Sequence, residues 1–262
     1  MRIDLILESK DPPGTIAELG RLAEDNGLGG IWVSSMLDAR DPFQNFAELA
    51  RTTRHVRMGP IAVSPFELHP LKMATSLLTL NEASSGRGQI VVGGGGGTMA
   101  AMGLNPERRV TAVRECLEIL RLASTGDPIN YDGALFTVHR YHPSWATSSP
   151  PALYAGANRT QMQHMAARYA DGIMLSDKII AQVKEAHATA DGVLKNAGRN
   201  RQTFRLTNFW AWHVKETREE AEREARIWLA LRGVLRRRNH EYFMDKADMD
   251  IVDEMRPAFF EA

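Results

Sequence analysis

Five consecutive glycines, Gly93, Gly94, Gly95, Gly96 and Gly97, follow the apolar run Gln89-Ile90-Val91-Val92. A stretch without side chains exposes its backbone N–H groups and lets a flat ring or a phosphate approach the main chain closely. Read without a ligand, the same stretch is a flexible turn. No Lys-Ser or Lys-Thr follows it, so it is not the phosphate loop of nucleotide hydrolases. A second group, Ser176-Asp177-Lys178, offers a hydroxyl and an ammonium at or near a helix start, where free N–H groups favour an anion. The plain alternative is that Ser176 or Asp177 caps that helix. The eight histidines show no ligand spacing, and no metal is expected. Cys116, mid-helix beside Glu115, reads as a packed thiol rather than a nucleophile. Trp210 and Trp212 alternate on a predicted strand, either as packing or as flanks for a ring-shaped ligand.

The elements that must position these residues alternate in type. Residues 3–7, 30–34, 58–64 and 89–92 read as short apolar strands, and each leads into an amphipathic stretch. Ile16, Leu19 and Ala23 mark the first helix. Asp41-Pro42 opens a second over residues 41–53, with an N-cap carboxylate before a first-turn proline. His69-Pro70 opens a third, and residues 106–123 form a fourth with Val110, Val113, Leu117 and Leu120 on one side. Residues 127–151 break the rhythm with Tyr131-Asp132-Gly133, a hairpin signal, and a Pro/Ser/Thr-rich stretch. Strands over 152–155, 172–175 and 204–214 resume it. Residues 217–262 form a charge-dense helical extension with Glu/Arg pairs at i, i+4.

Seven strands, each but the last followed by a helix, imply parallel βαβ units. The glycine-rich turn follows the fourth strand rather than the first, which disfavours a dinucleotide-binding sheet and favours an α/β TIM-type (β/α) barrel. The barrel is incomplete, because no eighth strand is legible. The expected organisation is one domain over residues 1–262, with an insertion at about 127–151. At 44 % hydrophobic and 24 % charged residues the composition suits a water-soluble protein with a full core. The balance of 32 Lys+Arg against 32 Asp+Glu argues against nucleic acid or a membrane surface as partner. The single cysteine excludes an internal disulfide and fits a reducing cytoplasm, and the start MRIDLILESK is too short and charged for a signal peptide.

Four segments together resemble the bacterial luciferase-like monooxygenase family, and within it the branch that uses the deazaflavin coenzyme F420, such as the methylenetetrahydromethanopterin reductases. They are DARDPFQNFAELARTTRHVRMGPIAVSPFELHP, ATSLLTLNEASSGRGQIVVGGGGG, PALYAGANRTQMQHMAARYADGIMLSD and WAWHVKETREEAEREAR. The resemblance implies an oxidoreductase, homodimeric, passing a hydride between F420 and a small organic substrate. The alternatives are an FMN-dependent flavin monooxygenase and a non-catalytic flavin- or deazaflavin-binding protein or partner subunit. It further implies that Ala62, Val63 and Ser64 lie against the ring, with a non-prolyl cis peptide at or near Ile61–Ala62. Gly93, Gly94, Gly95 and Gly96 would meet the middle of the cofactor, Ala155, Gly156 and Ala157 its ribityl or ring portion, and Ser176 and Lys178 its phosphate.

Two departures stand out. Relatives carry a polar pair such as Asp-His at the end of the second strand, where this chain reads Ser34-Ser35-Met36. Methionine transfers no proton and serine is a poor acid unless activated, so Ser35 is retained only as a substrate-positioning candidate for catalysis. Family members also continue well beyond residue 262, which leaves three readings: a truncated chain, a natural short form, or a gap filled by a partner chain, with truncation or partner completion favoured.

Overall fold

The computed structural model describes residues 1–235 and 245–260. Seven strands form one parallel sheet in the order β1-β2-β3-β4-β7-β8-β9, an incomplete TIM-type barrel. They are β1 Asp4–Leu7, β2 Gly30–Ser34, β3 Arg57–Val63, β4 Gln89–Val92, β7 Ala152–Gly156, β8 Gly172–Ser176 and β9 Arg205–Phe209. The remaining pair, β5 Ile129–Asp132 and β6 Thr137–Tyr141, is an antiparallel hairpin within the stretch where the rhythm breaks. The helices are α1 Pro13–Asp25, α2 Ala47–Thr52, α3 Pro70–Ala83, α4 Gly97–Ala101, α5 Arg109–Ala123, α6 Thr160–Tyr169, α7 Ile180–Asn196, α8 Arg218–Leu235 and α9 Lys246–Phe260.

The residues group into two compact units. One holds Met1–Leu175 and Val183–Thr207; the other holds Ser176–Gln182 and the described residues from Asn208 onward. Part of the extension expected over 217–262, namely residues 236–244 and 261–262, lies outside the described residues.

Strands buried on both faces explain the parallel sheet: all four residues of β4 are buried, as are four of the five in β2. At the amino ends of the strands the interior is plugged by large side chains set beside glycines. Trp32 and Tyr154 meet edge to face at 5.7 Å, and the Trp32 indole donates to Asp4 at 3.0 Å. Gly172 leaves the room that the Tyr154 ring occupies, since a Cβ there would sit 2.8 Å from it. On the outside, Gly20 lets α1 approach α2, where a Cβ would meet Leu49 at 2.3 Å.

Two charged side chains tie helices to strand starts. Arg87 donates to Ser84 O, Val56 O, Ala50 O, Thr53 O and Thr53 Oγ1 at 2.6–3.0 Å. Glu24 of α1 accepts the backbone N–H groups of Arg54 (2.9 Å), His55 (2.6 Å) and Val56 (2.7 Å), ahead of β3. Burial alone would raise the Glu24 pKa, but these three donors outweigh it and hold the carboxyl below its ordinary value. A lowered folded-state pKa stabilises the protein above the unfolded value, about 4.3. That contribution disappears as the pH falls through the lower folded value. Glu24→Gln is therefore expected to lose about 1–2 kcal/mol at neutral pH and to flatten the acid limb of the stability curve, measured by urea unfolding from pH 7 downward.

Three local expectations shift. Asp41 does cap a helical start, its Oδ1 accepting from Phe43 N at 3.0 Å and Gln44 N at 2.8 Å, but the first turn is a 3-10 turn over Gln44–Phe46. The helix expected from residue 106 begins at Arg109, because Arg108 stands in the left-handed region at φ 51°. The last strand stops at Phe209 rather than 214. Trp210 and Trp212 thus fall beyond it, 53 % and 81 % exposed, and do not form a packed strand face.

Candidate functional site

In a parallel barrel the carboxyl ends of the strands are where chemistry collects. β3 ends in Ile61-Ala62-Val63, and Ser64 follows it, 2 % exposed. The Ile61–Ala62 peptide bond is cis. β4 ends beside it: Gly93 N donates to Val63 O at 2.9 Å. A Cβ on Gly93 would stand 3.0 Å from the Ala62 methyl, and one on Gly156 would stand 3.7 Å from Val91 and 3.9 Å from the Gly93 Cα. Ala62, Gly93 and Gly156 thus form a continuous, nearly side-chain-free surface across three neighbouring strands. Ala155 ends the buried run of β7, and Ala157 is anchored by its N–H to Met174 O at 3.1 Å and by Gln163 Nε2 on its carbonyl at 3.2 Å.

The glycine run continues beyond β4 toward α4. Gly95 has φ +86°, a conformation that favours glycine, and a Cβ there would meet Met99 at 2.7 Å and the Ser64 hydroxyl at 3.3 Å. Gly94 packs against the Arg109 stem and the Met162 methyl, while the Arg109 guanidinium donates to Gly95 O at 3.2 Å. Gly96 has open space around its Cβ position, and Gly97 is already the first residue of α4.

Ser35, just past β2, is tied to the same rim. Its N–H donates to Ile61 O at 3.2 Å, and its hydroxyl donates to Glu67 Oε1 at 2.9 Å. The other Glu67 oxygen accepts from Ser64 N at 3.3 Å. Two residues on, His69 caps α3 with Nδ1 accepting from Leu71 N at 3.2 Å, and burial lowers its pKa. The hairpin reaches this segment through Phe136, 6.3 Å from the Phe66 ring and 5.5 Å from the His69 ring.

The second unit carries Ser176, the last residue of β8, and Lys178. Their loop is latched within that unit. Asp177 N donates to Phe209 O at 3.1 Å, and Asn208 pairs with both the N–H and the carbonyl of Lys178. Ser176 donates to Asp177 Oδ2 at 2.7 Å.

Other features read structurally. Cys116 is buried against the Met73 sulfur at 3.6 Å, and burial pushes its thiol pKa up. A groove of about 520 Å³ beside Asp171, at the start of β8, is occupied by its own pairs: Arg121–Asp171 at 2.6 Å and Tyr131–Glu118 at 2.5 Å. Among the described residues no three His, Cys, Asp or Glu side chains cluster as a metal site, and no helix is long and apolar enough to cross a membrane.

Glu67 is the rim residue that sequence reasoning passed over. The available signal was a lone carboxylate in the short stretch between a strand end and a helix cap. Its partner Ser35 is distant in sequence, so nothing local marked the pair.

The chain is similar to several known proteins. The 5,10-methylenetetrahydromethanopterin reductase of Archaeoglobus fulgidus is 29 % identical over 211 residues, covering 80 % of this chain. The chain spans 63 % of that relative's length. The solved coenzyme F420-dependent tetrahydromethanopterin reductase from Methanopyrus kandleri superposes with a TM-score of 0.78 at 23 % identity, over 88 % of this chain and 71 % of the other. An F420-dependent secondary alcohol dehydrogenase also gives 0.78, at 17 % identity, over 88 % and 76 %. The model of the luciferase-like monooxygenase family matches residues 2–257. With its parallel strands and its glycine-lined rim, the chain belongs to the luciferase-like monooxygenase family.

Proposed function

We propose that this protein is an oxidoreductase that binds coenzyme F420 and passes a hydride between it and a small organic substrate. The observation that carries the reading is the surface formed by Ala62, Gly93 and Gly156, where neighbouring strand ends present backbone and methyl groups only. Such a surface suits a flat ring system, which side chains at these positions would displace. When bound, the deazaflavin supplies or takes up the hydride. The protein's share is orientation and exclusion of water. Ala62, Val63 and Ser64 would face the ring, and Gly93, Gly94, Gly95 and Gly96 its middle. Ala155, Gly156 and Ala157 would hold the ribityl or ring portion. The relatives named above support F420 over FMN. The family resemblance also supports a cytoplasmic homodimer.

Titration of the purified protein with F420, followed by absorbance and fluorescence, tests this. Binding at micromolar concentration is expected, and its absence overturns the reading. Tight binding of FMN in its place would favour the flavin monooxygenase alternative. Gly93→Val is expected to weaken F420 binding about tenfold or more, a loss of roughly 1.4 kcal/mol. Its branched side chain would crowd the Ala62 methyl and fill the surface. The titration repeated on this variant, with circular dichroism to confirm folding, measures the effect.

A further inference from the structure

Resting on that reading, we propose that Ser35 and Glu67 form the proton relay of this rim, and that the substrate is a carbonyl compound or the matching alcohol. Ser34-Ser35-Met36 leaves the end of β2 without an acid of its own. The structure supplies one from the next loop, since the Ser35 hydroxyl and Glu67 Oε1 lie 2.9 Å apart. Glu67 is fixed from two sides. Ser64 N donates to its Oε2 at 3.3 Å, and its own N–H donates to Ser64 O at 3.0 Å. The carboxylate therefore bridges the ends of β2 and β3, directly beside the surface assigned to the ring.

Neighbouring carboxylates are engaged otherwise. Asp38 is paired with Lys10 at 2.5 Å, which lowers its pKa and holds it ionised. Glu8 is exposed and accepts from Ser9 and Lys10 beside it in the chain. Among the described residues no Lys, Arg or His is ion-paired with Glu67, whose two carboxyl oxygens face Ser35 Oγ and Ser64 N.

The chemistry balances as follows for reduction, with a reduced deazaflavin or flavin as the two-electron donor. The C–H bond of the reduced donor breaks, the carbonyl carbon receives the hydride as a new C–H bond, and the donor is left oxidised by two electrons. The π pair moves to oxygen, which takes the Ser35 hydroxyl proton. Ser35 Oγ takes the proton of the Glu67 carboxyl group, whose O–H bond breaks. The result is the arrangement observed, with the Ser35 hydroxyl donating to Glu67 Oε1. Alcohol oxidation runs the same steps in reverse. A hydroxyl backed by a carboxyl group matches a carbonyl oxygen, which needs a donor in that step. An iminium carbon accepts hydride without one.

The test compares wild type, Ser35→Ala, Glu67→Gln and Glu67→Ala, each loaded with F420. Reduced F420 is offered acetone, cyclohexanone and benzaldehyde. Support requires F420 affinity within about twofold of wild type in every variant, because the relay does not hold the ring. It also requires kcat to fall about 100-fold or more in Glu67→Gln with KM little changed. Added acetate should restore at least part of the turnover of Glu67→Ala, which a structural role would not allow. Wild-type kcat in Glu67→Gln overturns the relay. So does a loss of turnover that tracks a loss of F420 affinity, or an absence of acetate rescue. Wild type that binds F420 but reduces none of the three carbonyls overturns the substrate class. Wild type that binds neither F420 nor FMN removes the functional reading itself, and this proposal with it.

Discussion

Gly59→Ala is expected to destabilise the protein by about 3–5 kcal/mol, lowering the melting temperature by about 10 °C or more. Gly59 sits within β3, opposite Trp32 in the register with β2. A Cβ there would lie 1.6 Å from the Gln89 carbonyl oxygen and 2.6 Å from its carbon, both backbone atoms of β4. A side-chain tip can swing away from such a clash; a neighbouring strand cannot without breaking its pairing on both sides. The same chemical change at Gly192 should act in the opposite direction. Gly192 lies in α7 with nothing within 4 Å of its Cβ position, and alanine there should stabilise by about 0.5–1 kcal/mol. Thermal unfolding of the two variants side by side, followed by circular dichroism, measures the contrast. Equal melting temperatures would show that β3 and β4 do not approach as described.

Glu115→Ala should cost about 3–4 kcal/mol, from a position within α5 and away from the glycine-lined rim. The Glu115 side chain is fully buried and accepts three successive backbone N–H groups of the hairpin: Ala134 at 2.9 Å, Leu135 at 3.0 Å and Phe136 at 3.1 Å. Truncation strands those donors and frees the hairpin tip, whose Phe136 ring packs on Phe66 and His69. The loss should therefore be visible twice: as a lower unfolding midpoint, and as faster amide exchange over residues 129–141. Glu115→Gln keeps one acceptor oxygen and should lose about half as much. Unchanged exchange in the hairpin would mean that Glu115 is not what docks it.

What was legible in the chain follows from how local each signal is. The parallel sheet was readable because β2 and β4 are continuous apolar runs and because the intervening helices carry their own period. Asp41-Pro42 and His69-Pro70 were readable as helix starts because a cap bonds to N–H groups two or three residues away. The glycine-rich turn was readable as a place where backbone is exposed. Glu115, Glu24, Arg87 and Glu67 were not legible in their roles. Each acts on main chain or a hydroxyl that is, for at least one bond, 19 or more residues distant. Periodicity is blind to such partners. The end of β9 was misplaced for a related reason: an exposed extended segment alternates in the same way as a strand, and only pairing separates the two.

The Arg87 guanidinium bears on the order in which this region assembles. Its acceptors come from the end of α2, the approach to β3 and the end of α3, so its full set of bonds exists only when all three are in place. Residues 50–87 should accordingly open and close as one cooperative block rather than fray element by element. Within that block lie Ala62, Ser64 and Glu67, so the rim inherits its rigidity from a cation anchored at the far end of the same strand.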